Sequence, residues 1–185
     1  MQVVGGTVKG RKLIPPSDRS SRPTSSLVKS AIFNILRPEQ VVGVRVLDLF
    51  AGTGSLGIEA LSRGGNWVDL IEREINCCNI MRRNLNHMGF SDKSKIYCMP
   101  VGQALQTLEE AYQLILMDPP YKLKTLDPVL ECLSESSLVE TGTVVVVGHS
   151  KRQDLKSDYG DMIAVRNRQY GDSWVHFFVK GRTTW

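Results

Sequence analysis

No apolar run in this 185-residue sequence approaches the roughly 18 residues that a membrane-spanning helix needs. The opening MQVVGGTVKGRK holds no apolar secretion core. Cysteine and histidine are both sparse. The four cysteines (Cys77, Cys78, Cys98 and Cys132) form no C-x-x-C spacing, and there are three histidines, so neither a zinc site nor a disulfide framework is indicated. These absences predict a reduced, cytoplasmic setting with no membrane and no metal; a monomer is expected, although none of these absences bears on it. Acid is scarce in one place. Residues 1–40 hold seven basic residues (Lys9, Arg11, Lys12, Arg19, Arg22, Lys29 and Arg37) against Asp18 and Glu39, whereas residues 41–185 hold sixteen basic and seventeen acidic. The whole excess of the +4 net charge therefore sits in the first fifth of the chain. Such an arm suits a polyanion, unless it is a solvated tail.

What is present is a globular composition, 42% hydrophobic and 23% charged, enough for one ordinary domain with an appended arm. QVVGGTVKGRKLIPP has two short apolar pieces around glycines and reads as a hairpin or extended strand. PTSSLVKSAIFNILRP places Leu27, Ala31, Ile35 and Val28, Ile32, Leu36 on an apolar face, with Thr24 or Ser25 as cap and Pro38 as stop. That helix should pack its apolar face on the body and turn Lys29 outward. From residue 44 strands and helices alternate: strands at VRVLDLF, WVDLIE, KIYCM, QLILM and TVVVVG, with helices at SLGIEALSR, 74–88, QALQTLEEA and 125–136. In the helix over 74–88, Arg82, Arg83, Asn84 and Asn86 fall on the polar side. Residues 161–169 and 173–179 form a terminal hairpin around YGDS. Repeated βαβ units predict an α/β fold, a mostly parallel seven-stranded doubly wound sheet with an antiparallel C-terminal hairpin. The organisation predicted is a basic extension over 1–40, hairpin and helix, followed by a main domain over 41–185.

Three candidate sites fall at strand ends, where open α/β sheets bind ligands. After the first strand, LDLFAGTGSLG fits G-x-G-x-x-G at Gly52, Gly54 and Gly57, a loop that brings backbone close to a ligand and faces it with helix N–H groups. That pattern serves NAD, FAD, S-adenosylmethionine or close packing. Asp48, inside the strand, favours a ligand that is itself cationic, such as a sulfonium with an ammonium group; the alternative is a carboxylate satisfied by loop N–H groups. Glu72 ends the second strand and can accept both hydroxyls of a ribose, or can simply start a helix. Gln103, beyond the third strand, can contact an adenine edge or lie on the surface.

The third site is MDPPY. The lone pair of an exocyclic base amine is delocalised and a poor nucleophile. Acceptors on both N–H bonds, the Asp118 carboxylate and the Pro119 carbonyl, turn that lone pair toward a methyl group, while Tyr121 stacks on the base and Pro120 stiffens the turn. This favours methyl transfer over hydride transfer, and binding of NADH would reopen the dinucleotide reading.

KGRKL, RPT, IFNIL, LDLFAGTGSLGIEALSRG, MDPPY and YGDS recur in order in the RsmD-type 16S ribosomal RNA guanine-N2 methyltransferases, which this sequence resembles over about residues 5–179. The resemblance implies a Rossmann-like class I fold, S-adenosyl-L-methionine as cofactor, and ribosomal RNA or a partly assembled small subunit as partner. It implies cofactor binding by Asp48, Phe50, Ala51, Gly52, Thr53, Gly54, Glu72, Gln103 and Ala104, and catalysis at Asp118, Pro119, Pro120 and Tyr121. RNA binding is implied for Lys9, Arg11, Lys12, Arg22, Thr24, Lys29 and Lys122. The chain departs from the family pattern at Ser26, Leu27 and Ser30, where polar and charged residues are usual, and at Gly148, which replaces a glutamate. Adenine-N6 methylation, and a relative that binds RNA without catalysis, are the competing readings.

Overall fold

The computed structural model describes residues 1–16, 25–120 and 123–181. Five parallel strands form the centre of one sheet: β1 (Arg45–Leu49), β2 (Trp67–Glu72), β3 (Ser94–Cys98), β4 (Tyr112–Met117) and β5 (Val139–Ser150). Three antiparallel strands complete it: β6 (Asp158–Tyr159), β7 (Met162–Tyr170) and β8 (Ser173–Lys180). The order is β3-β2-β1-β4-β5-β8-β7-β6. The seven expected strands are joined by an eighth, β6, whose two residues are too few to show any alternation in the sequence.

The helices are α1 (Ser26–Ile35), α2 (Ser55–Ser62), α3 (Ile75–Met88), α4 (Val101–Thr107) and α5 (Asp127–Glu135). Helix α4 begins two residues before the expected QALQTLEEA and stops at Thr107, leaving 108–111 outside it. The central strands are buried on both faces, which is why they read as unbroken aliphatic runs. One face carries Val46, Leu70, Leu116, Val146 and Phe177 under α1, α2, α3 and the N-terminal hairpin. The other carries Leu47, Ile71, Ile115, Val145 and Phe178 under α4 and α5.

Residues 1–13 form a hairpin held by Val3 N–H to Arg11 O at 3.0 Å and Leu13 N–H to Met1 O at 3.0 Å. It lies along α2: Val4 N–H donates to Glu59 Oε2 (2.8 Å) and Thr7 N–H to Ser62 O (2.7 Å). Val3 and Leu13 join the same apolar cluster as the sheet. Ser25 is the N-cap of α1, accepting from Val28 N–H at 3.2 Å.

Helix α1 is rotated from the sequence expectation. Its buried residues are Val28, Lys29, Ile32 and Phe33, while Leu27 is 67% exposed. Lys29 turns inward beside a buried acid. Glu59 of α2 is fully buried; its Oε1 accepts from Arg63 Nε at 2.8 Å and its Oε2 lies 3.5 Å from the Lys29 ammonium. Attraction to the buried carboxylate offsets part of the cost of burying the ammonium.

Candidate active site

The order β3-β2-β1-β4-β5 reverses direction between β1 and β4, the point beyond whose carboxyl strand ends open α/β sheets bind ligands. Leu49 of β1 is in register with Ile71 of β2 and Met117 of β4, and Met117 with Val147 of β5. The residues that follow these positions are Phe50, Glu72, Asp118 and Gly148. The three stretches singled out in the sequence therefore end side by side on neighbouring strands.

The loop after β1 leaves the sheet by an unusual backbone. Phe50 has φ 61°, a left-handed conformation that a bulky residue rarely adopts, and Gly52 follows at φ 57° and Gly54 at φ 84°. Such conformations persist where the surroundings over-determine them, commonly at ligand sites. A Cβ on Gly52 would meet nothing within 4 Å, so the loop has an open side. Gly57 serves differently. A Cβ there would lie 2.8 Å from Leu70 and 2.9 Å from Val68, so its bareness lets α2 press on the sheet.

That close approach delivers a donor. Gly57 N–H, in the first turn of α2, donates to Asp48 Oδ2 at 2.8 Å. Asp48 is buried, at 1% exposure. Burial pushes its carboxyl up to about 8; the Gly57 N–H opposes this, and the neighbouring Asp118 and Glu72 charges add to it. Glu72 accepts from Gly52 N–H with one oxygen (2.9 Å) and Glu74 N–H with the other (2.9 Å). Among the described residues Asp48 and Glu72 are thus held by backbone N–H groups rather than by a cationic side chain.

On the acceptor side Asp118 is half-buried, Pro119 buried and Pro120 exposed, with Pro120 O accepting from Leu123 N–H at 2.9 Å. Gly148 lies within β5, where no left-handed backbone calls for a glycine. Space does: a Cβ would stand 2.9 Å from Asp118 Oδ1.

A family model described as Conserved hypothetical protein 95 matches residues 1–179. The chain belongs to this family, the RsmD-type methyltransferases. A Bacillus subtilis relative described as "Putative rRNA methyltransferase YlbH" is 34% identical over 183 residues, covering 97% of this chain and 99% of that one. "Ribosomal RNA small subunit methyltransferase D" of Escherichia coli K12 is 28% identical over 147 residues, covering 80% of this chain and 73% of its own. A solved structure of a hypothetical protein from Thermus thermophilus superposes with a TM-score of 0.82 at 27% identity, covering 96% of this chain and 98% of that one.

Within this RsmD-type fold the remaining sequence candidates divide. Gln103 is exposed on α4, whereas Ala104 buries its methyl in the α4–α5 core and commits its N–H to Pro100 O (3.1 Å), an ordinary helix role. Ala51 N–H bonds Ile71 O (2.9 Å), and Thr53 is buried in the loop. Lys9, Arg11 and Lys12 are exposed; Lys9 is at the hairpin tip, which lies beside Ser62 at the far end of α2 from the loop, whereas Lys12 is bridged to Gln2 at the base of the hairpin. The eight residues of α2 span about 12 Å. Arg11 Nη1 reaches His87 O at 3.5 Å. Lys29 is corrected from an RNA-facing cation to a buried one: its Nζ donates to Gln2 O (2.7 Å) and Ser55 Oγ (3.0 Å), and burial lowers its pKa against the pull of Glu59. Arg22, Thr24, Tyr121 and Lys122, which the sequence also assigns to the site, lie outside the described residues.

One residue near the loop carried no signal. Asn84, placed by helical spacing on the polar side of α3, is fully buried and donates to Thr53 O at 3.0 Å. Ile14 covers Asn84 while Arg82, Arg83 and Asn86 stay exposed, a contact that local periodicity cannot register. Among the described residues no cluster of three or more His, Cys, Asp or Glu could hold a metal, and no helix is long and apolar enough to cross a membrane.

Proposed function

We propose that this chain transfers a methyl group from S-adenosyl-L-methionine to the exocyclic N2 amine of a guanine in small-subunit ribosomal RNA. The observation that carries this reading is the meeting of the glycine loop with Asp48, Glu72 and Asp118-Pro119-Pro120 at the ends of three adjacent strands. Names given to the family relatives supply the RNA and the subunit.

The residues fit the cofactor. A buried carboxylate pushed toward neutrality by burial gains a partner when a cation arrives, and Asp48 lies under the open-sided loop. Glu72 is placed for a ribose, since each oxygen keeps a second lone pair beyond its backbone donor. The cofactor supplies an electrophilic methyl on a sulfonium. The chain supplies position and polarity. Asp118 Oδ and Pro119 O accept the two amine N–H bonds, which directs the nitrogen lone pair out of conjugation. The nitrogen gains positive charge as its new bond to carbon forms, and the Asp118 carboxylate stabilises that charge. The carbon–sulfur bond would break as the nitrogen–carbon bond forms, leaving S-adenosylhomocysteine as a neutral thioether, and the proton shed afterwards by nitrogen would pass to water. A paired guanine hides its N2 amine, so the base must be splayed from its stack.

The test is transfer of labelled methyl from S-adenosylmethionine to small-subunit particles lacking guanine-N2 methylation, followed by nucleoside analysis. N2-methylguanosine is the expected product. Methyl on adenine would replace the substrate and keep the mechanism. Binding of S-adenosylhomocysteine with no transfer to any particle or RNA would remove the enzymatic reading.

A further inference from the structure

Two buried polar side chains join the N-terminal hairpin to the glycine loop, and neither takes part in the chemistry above. Asn84 is the first. Its Oδ1 accepts from Ile14 N–H at 2.8 Å, and its Nδ2 donates to Ile14 O at 3.1 Å and to Thr53 O at 3.0 Å. Lys29 is the second, with its Nζ on Gln2 O at 2.7 Å and Ser55 Oγ at 3.0 Å. Gln2 lies on one side of the hairpin, bridged to Lys12 on the other, and Ile14 directly follows that second side. Thr53 and Ser55 flank Gly54, the left-handed residue that starts α2.

One side of the hairpin is thus tied to the residue before Gly54 and the other side to the residue after it. Burying an amide is costly, and burying an ammonium is costly even with Glu59 3.5 Å away to offset part of it. The polar pair does what apolar packing does not: it fixes a specific carbonyl and a specific hydroxyl on both sides of the turn. Ile14 also leads through Pro15 and Pro16 into the segment that contains Arg19 and Arg22.

We propose that Asn84 and Lys29 are positioning residues that set the glycine loop from the N-terminal hairpin, so that docking of the arm and binding of the methyl donor are coupled. This rests on the methyl-donor reading of that loop. Coupling between sites is reciprocal: whatever steadies the hairpin tightens the donor site, and the donor steadies the hairpin by the same factor.

The test uses the full chain with S-adenosylhomocysteine as probe. In the unaltered protein, saturating probe should slow hydrogen exchange at the Ile14 amide, the donor to Asn84, by about 5-fold or more. Asn84→Leu and Lys29→Met should each weaken probe binding by about 10-fold in calorimetric titration, the loss of one or two buried polar contacts. Both should raise KM for the methyl donor while kcat at saturating donor stays within about 2-fold, since uniform binding is what is lost. A merely structural staple would lower stability without that split. Probe binding with unchanged Ile14 exchange would overturn the coupling, and this readout stands even if the variants fail to fold. No probe binding to the unaltered chain would instead overturn the methyl-donor reading on which the coupling rests.

Discussion

Two aspartates are buried one register step apart on neighbouring strands, one on each face of the sheet, and they are treated in opposite ways. Asp69 of β2, on the face under α4 and α5, accepts from Arg45 Nη2 (2.8 Å), Tyr112 OH (2.7 Å) and Trp67 Nε1 (2.9 Å). Three side chains from three strands converge on it, one of them a cation. Asp48 of β1, on the face under α2, has one backbone N–H from Gly57, and two further carboxylates, Glu72 and Asp118, lie close enough to raise its pKa. The first is a closed structural network. The second is incompletely compensated, and such a group gains most when a cationic ligand arrives. Burial alone does not mark a functional acid; burial without a cation does.

The largest effect expected is from Asp118→Ala. Turnover should fall by roughly 10²–10⁴-fold, the range for a positioned polar group, with S-adenosylhomocysteine binding retained in calorimetry. Loss of cofactor binding with unchanged turnover at saturation would reverse the two halves of the site. On the opposite face from Asp48, Asp69→Ala leaves Arg45 and the Tyr112 hydroxyl without their acceptor. It should cost about 3–5 kcal/mol in denaturant unfolding while the cofactor affinity of the folded fraction is unchanged. If its main effect were on cofactor affinity, the contrast between the two aspartates would fail.

The pH dependence sharpens the contrast further. Asp48 has a folded pKa raised to about 8 against an ordinary carboxyl value near 4, so its contribution to stability is complete below the unfolded value and is lost as pH rises through 8. Stability of the chain alone should therefore decline across that window. A cation beside Asp48 favours its ionised form, so cofactor binding should release a proton and strengthen by about 5-fold from pH 7 to 8. Calorimetry in buffers of different ionisation enthalpy reads that proton, and Asp48→Asn should abolish its release. The smallest effect is Gly148→Ala. The added Cβ must displace the Asp118 carboxylate from 2.9 Å, and kcat should fall by about 3- to 10-fold, a misplacement of a few tenths of an ångström. An unchanged kcat would mean that the glycine has no hold on Asp118.

The elements of the main sheet were legible because parallel strands buried on both faces leave unbroken aliphatic runs, as in QLILM and TVVVVG. The glycine loop and the double proline were legible because their backbone constraints belong to the residues themselves. The third glycine was readable as part of a pattern, and an N–H on Asp48 was one of the two readings of that acid, but Gly57 as the donor was not, since that bond exists only when α2 lies against β1. Helix α1 shows the limit most clearly. Val28 and Ile32 went inward as spacing predicts, yet Lys29 followed them and Leu27 did not. Helical spacing ranks residues by apolarity, and it cannot see that a buried glutamate on another helix offers a lysine a partner.

The sequence by itself determined the alternation of strands and helices, the three site stretches and the localisation of positive charge, because each is carried by residues near one another in the chain. Tertiary structure decided which charges remain outside and which acids are compensated. Lys29 and Asn84 were drawn into the interior by groups about 30 and 70 residues away, Glu59 and the backbone of Ile14. The Asp48 carboxylate was left with a single donor by the way α2 meets β1. Those outcomes depend on desolvation, which is a property of the packed surroundings and not of any stretch of chain.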